Sequence, residues 1–107
     1  MKPKIVFALY RPHKGKDAVL RKLIARHIPT LRQLELITDR PAILAKSTNG
    51  TYIEIFEWRT PDAGYTAQQH PEVAKVWEAM AQIADLPALE SIPEVTERFP
   101  HFEPINL

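Results

Sequence analysis

The groups in this chain able to do chemistry at neutral pH are four histidines, one carboxylate within an apolar stretch and a set of aromatic residues. His70 stands directly before Pro71. An imidazole there can take a proton from a phenolic substrate or ligate a metal, and it can equally serve as the N-cap of the helix that the proline opens. Glu54 alternates with Tyr52 and Phe56 along the apolar stretch Thr51–Trp58. It reads as a general base or as an ion-pair partner for Arg or Lys across a subunit seam. Trp58 closes the same stretch and offers a flat wall for an aromatic ligand. Tyr52, Phe56 and Tyr65 would complete such a pocket, though all four types also fill cores and interfaces.

Other chemistries find no support. The chain has no cysteine, which removes disulfides, thiolate nucleophiles and cysteine-based metal sites. His13, His27 and His101 have no ligand partner at helical or short-loop spacing, and there is no HExxH motif, so no metal is expected. Gly15-Lys16 lacks the surrounding pattern of a phosphate-binding loop. Ser47 and Ser91 have no nucleophile elbow or adjacent base. Arg11, His13, Lys14 and Lys16 form a basic loop before the first helix, either an anion site or a solvated connection. Trp77 has helical spacing with Val73 and Met80 and reads as core.

Charge decides the class of partner. With 14 basic against 13 acidic residues the net charge is +1, too small for a general field that would attract nucleic acid or an anionic membrane. The apolar run Ile5–Tyr10 is too short to cross a membrane and is closed by Arg11-Pro12. A cytoplasmic protein is expected. At 107 residues, 45% apolar and 25% charged, the chain has the composition of a single globular domain over 1–107.

The elements that must position these groups follow from periodicity. Lys4–Arg11 is β-branched and aromatic and reads as a strand. Asp17 caps a helix whose stripe Val19, Leu20, Leu23, Ile24, Ile28, Leu31 and Leu34 continues past Pro29. Ala42–Ser47 and Thr51–Trp58 flank Asn49-Gly50, a hairpin dipeptide that tolerates positive φ at two positions. Thr60-Pro61 opens a helical region broken at Gly64 and His70-Pro71. A longer helix carrying Val73, Val76, Trp77, Met80 and Ile83 then runs to about Asp85. Val95–Phe99 reads as the last strand, followed by a proline-punctuated tail.

Strand, helix, strand, strand, helix, strand is the α+β, ferredoxin-like βαββαβ order: an antiparallel sheet with two helices on one face. Both faces of this sheet are apolar. Ile5, Phe7 and Leu9 lie opposite Val6, Ala8 and Tyr10, and Ile53 and Ile55 lie opposite Tyr52, Phe56 and Trp58. Helices cover one face, so a homodimer through the open sheet face is expected.

The element order, the first strand running into Gly15-Lys16, the Asn49-Gly50-Thr51 hairpin, the strand ending Glu57-Trp58 and the helix leading to His70-Pro71 resemble the antibiotic biosynthesis monooxygenase-like (ABM-like) family. These are dimeric α+β barrels, and the resemblance covers roughly residues 4–99. It implies a cavity between sheet and helices with Trp58 and His70 beside it. Some members oxidise polycyclic phenols or quinols with dioxygen and no cofactor. Others bind or degrade haem with the help of a first-strand asparagine, where this chain offers Phe7, Ala8, Leu9 and Tyr10. The resemblance implies a cofactor-independent monooxygenase of small aromatic compounds using His70 or Glu54 as base. A non-catalytic module for a small hydrophobic molecule and a haem-binding protein are the alternatives.

Overall fold

The computed structural model describes residues 2–107. Its elements are β1 (Lys4–Pro12), α1 (Asp17–Gln33), β2 (Ile43–Lys46), β3 (Tyr52–Trp58), α2 (Ala63–Ala67), α3 (Pro71–Ile83), β4 (Ala84–Asp85) and β5 (Glu103–Pro104). Two 3-10 turns, Leu89–Ser91 and Pro93–Thr96, lie between β4 and β5. The sheet is antiparallel with order β4-β1-β3-β2-β5, so its first four strands have the ferredoxin-like arrangement expected from the sequence.

Register places the chemistry on one face. Across β1, β3 and β2, Ala8 pairs with Glu54 and Glu54 with Leu44, while Tyr10 pairs with Tyr52 and Val6 with Phe56. Side chains alternate along a strand, so this row faces the helices. Leu20 and Ile24 of α1 meet Val76 and Met80 of α3 above Tyr10 and Tyr52. Leu31 and Val73 meet above Phe56. The α1 stripe continues through Pro29, and the helix stops where Glu35 adopts φ 58°. There the N–H of Leu36 returns to the carbonyl of Leu31 and that of Glu35 to Arg32, which satisfies the last carbonyls of the helix.

Several local expectations change. Lys16, not Asp17, is the N-cap of α1, because the Asp17 carboxylate turns to accept the Tyr52 hydroxyl at 2.7 Å, with Lys46 3.8 Å away. Only Gly50 of the hairpin dipeptide has positive φ. Ser47 and Thr51 close a three-residue turn, and the Asn49 side chain accepts the Thr51 N–H. Val95–Phe99 is not a strand: Pro93–Thr96 is a 3-10 turn, and the strand at the β1 edge is Ala84–Asp85, directly after α3. The physical cause is Glu94. Its carboxylate is buried and accepts Ser47 Oγ at 2.7 Å and the Thr48 N–H at 2.9 Å, pinning the segment across the outer face of the sheet.

That segment also covers part of the face expected to be open. Ile92 and Phe102 pack on Leu9 and Ile53. The neighbouring row stays uncovered, with Phe7 49% and Ile43 59% exposed.

Candidate functional site

Glu54 is the one carboxylate on the helix-facing side of β3, and it is fully buried. A buried carboxylate needs donors, and the sequence supplies them from two other elements. Tyr10 of β1 donates its hydroxyl to Glu54 Oε1 at 2.7 Å. His27 of α1 places Nδ1 2.8 Å from the same oxygen. Trp77 of α3 then donates its indole N–H to His27 Nε2 at 2.8 Å. Indole can only donate, so Nε2 is the accepting nitrogen and Nδ1–H is the donor to Glu54. The result is a hydrogen-bonded chain, Trp77 to His27 to Glu54, joining α3, α1 and β3 through the middle of the fold.

The imidazole is held on its flanks as well. Phe56 meets it edge-on at 5.7 Å between centroids, and Tyr10 does so at 6.5 Å. Tyr10 stays a donor. Its hydroxyl is pushed well above the ordinary tyrosine range, first by burial and then by the charge of Glu54 and the bond to it.

Beside this chain lies a cavity of about 380 Å³ lined by Tyr10, His27, Phe56, Trp58, Trp77 and Met80, among others. Phe56 and Trp58 stand edge to face at 5.0 Å. Gly64 of α2 lies against the indole of Trp58, where a Cβ would sit 3.4 Å from the ring. The cavity reaches the edge of the sheet because β4 pairs only with Arg11 and Pro12. A full-length last strand, as read from the sequence, would have bordered the rest of that edge.

Of the residues singled out in the sequence, Phe56 and Trp58 line this cavity and Glu54 anchors the histidine beside it. Tyr52 is fully buried in the core with its hydroxyl on Asp17; its ionisation is pushed up to about 12, by burial first and then by that bond. Tyr65 is 71% exposed on α2, and His70 is the N-cap of α3. Neither lines the aromatic cavity. Glu54 faces inward to His27 and Tyr10 of its own chain, which removes the reading that pairs it with a cation across a subunit seam.

His27 and Trp77 are the members that sequence reasoning passed over. Their signal was present. His27 falls in the buried stripe Leu20, Ile24, His27, Leu31, as Glu54 falls in the inward face of β3. Two polar residues on facing apolar surfaces satisfy each other or not at all.

Among the described residues no group of three or more metal-ligating side chains occurs, and no helix is long and apolar enough to cross a membrane. The sequence matches no protein-family model and no curated protein. The fold is similar to the solved structure of tetracenomycin F2 cyclase from Streptomyces glaucescens, a type-II polyketide cyclase. The two share 20% identity at a TM-score of 0.58, over 81% of this chain and 82% of that one. The likeness is one of fold: the ferredoxin-like α+β architecture that the element order of the sequence implied.

Proposed function

We propose that the protein is a small ABM-like enzyme that holds a flat phenolic or polyketide-type compound in the aromatic cavity. It takes a proton from that compound without a bound cofactor. The observation that carries this reading is the Trp77–His27–Glu54 chain at the cavity wall. Glu54 orients the imidazole through Nδ1–H, which leaves Nε2 as the accepting atom. The Trp77 N–H now occupies the position that a ligand hydroxyl would take on binding. That is the arrangement of a general base steadied by a carboxylate. Phe56 and Trp58 supply the stacking wall, and the apolar lining keeps water away from the resulting anion.

For an oxygenase, the phenolate formed by loss of the hydroxyl proton passes its electrons through a ring carbon to dioxygen, and the hydroperoxide formed on that carbon loses water to leave a quinone. The product then carries one more oxygen and two fewer hydrogens than the substrate. A second reading, ring closure of a polyketide chain, is favoured by the fold shared with tetracenomycin F2 cyclase. It begins with the same proton and ends with loss of water alone. Incubation with anthrone-like phenols and with poly-β-ketone analogues, read by product mass, separates the two; no turnover of either set would leave a binding module.

The proposed assembly is a homodimer through the uncovered outer row, Ile5, Phe7 and Ile43, with Leu89, Val95 and Phe99 exposed nearby.

A further inference from the structure

We propose that a second cavity, between α1, β2 and the segment Ile105–Leu107, binds a neutral small molecule carrying both a hydroxyl and a carbonyl. This cavity measures about 400 Å³, and its apolar walls include Ile24, Ile28, Leu44 and Ile105. Three polar residues also line it, Glu54, Arg32 and Asn106. Among the described residues, Glu54 Oε2 and Arg32 Nε are the two buried side-chain polar atoms without a hydrogen-bond partner. The two residues that carry them line a single cavity.

Their chemistry defines the occupant. Glu54 is almost wholly buried, and its other oxygen is already taken by Tyr10 and His27, so Oε2 is a fixed acceptor. Arg32 is anchored by its Nη2, which donates to the Arg40 carbonyl at 3.2 Å, so Nε–H is a positioned donor. This buried acceptor and this buried donor match a ligand hydroxyl and a ligand carbonyl. One negative and one positive side chain favour a neutral molecule, since an anion would meet Glu54 and a cation would meet Arg32. The two cavities have no lining residue in common, although Glu54 also anchors the His27 beside the aromatic one, so the test varies Arg32 and leaves Glu54 in place.

The test is an NMR titration with 2-hydroxy-1-phenylethanone, compared with 1-phenylethanone, which lacks the hydroxyl, and with benzoate, in wild type and Arg32→Met. The expected result is saturable shifts of the Leu44, Ile105 and Asn106 amides by the hydroxyketone. Affinity should be about tenfold weaker for the plain ketone and for Arg32→Met, as loss of a hydrogen bond to a charged group implies, and benzoate should not bind. Equal affinity for the two ketones, or for wild type and Arg32→Met, would overturn the proposal. So would an absence of saturable shifts, or shifts confined to the indole N–H groups of Trp58 and Trp77; the last result would place the ligand in the aromatic cavity and leave that reading standing.

Discussion

Trp77 donates its indole N–H to Nε2 of His27 at 2.8 Å, and this one bond decides which imidazole nitrogen carries the proton. Long-range ¹H–¹⁵N spectra of the free protein are therefore expected to show the Nδ1–H tautomer of His27. Trp77→Phe keeps most of the ring but removes the donor, which should cost about 1–2 kcal/mol in urea unfolding. An Nε2–H tautomer in the wild type would contradict the arrangement.

Tyr10 and His27 share one oxygen of Glu54, so their contributions are coupled. Tyr10→Phe should cost ~1 kcal/mol. Glu54→Leu should cost ~2–5 kcal/mol, because it leaves two buried donors unmatched. In the Glu54→Leu background the tyrosine change should cost much less, and a double-mutant cycle measures the difference. Strict additivity would show that the shared contact is not formed.

Acid should release the segment that covers Leu9 and Ile53. Glu94 is held at about 2, below its ordinary 4.5, by the Ser47 hydroxyl first and the Thr48 N–H second. A carboxyl lowered in the folded state contributes fully above about pH 4.5 and loses that contribution as pH falls toward 2. Methyl shifts of Leu9, Ile53 and Ile92 should follow this window in the wild type. In Glu94→Ala the same signals should already be displaced at pH 7, and an unchanged acid profile in the variant would rule out the clamp.

How much of this was legible beforehand differs by element. The βαββαβ order and the inward row of β3 follow from periodicity, because alternation and helical stripes are local properties of sequence. The last strand was misread because Val95 and Phe99 have strand propensity, while the deciding interaction, Glu94 with Ser47 and Thr48, spans 46 or 47 positions. His70 drew attention through its proline neighbour, a purely local cue. His27 stands 27 positions from Glu54 and 50 from Trp77, so its role emerges only when three elements pack.

The uncovered row on the outer face makes a prediction about assembly. Phe7 and Ile43 lie on either side of Ile55 in the paired strands, and both are about half exposed or more. Light scattering at micromolar concentration should return twice the 12.3 kDa chain mass, and Phe7→Asp should return the monomer. A wild-type monomer would remove the dimer.

In the proposed reaction His27, steadied by Glu54, takes the proton of a compound bound against Trp58. The most direct measurement is the turnover of whichever phenolic or poly-β-ketone compound proves to be a substrate, in wild type and His27→Gln, with binding followed in parallel by tryptophan fluorescence. In His27→Gln, binding should be kept while turnover falls by roughly 10²–10⁴-fold. Turnover by His27→Gln at the wild-type rate would contradict it.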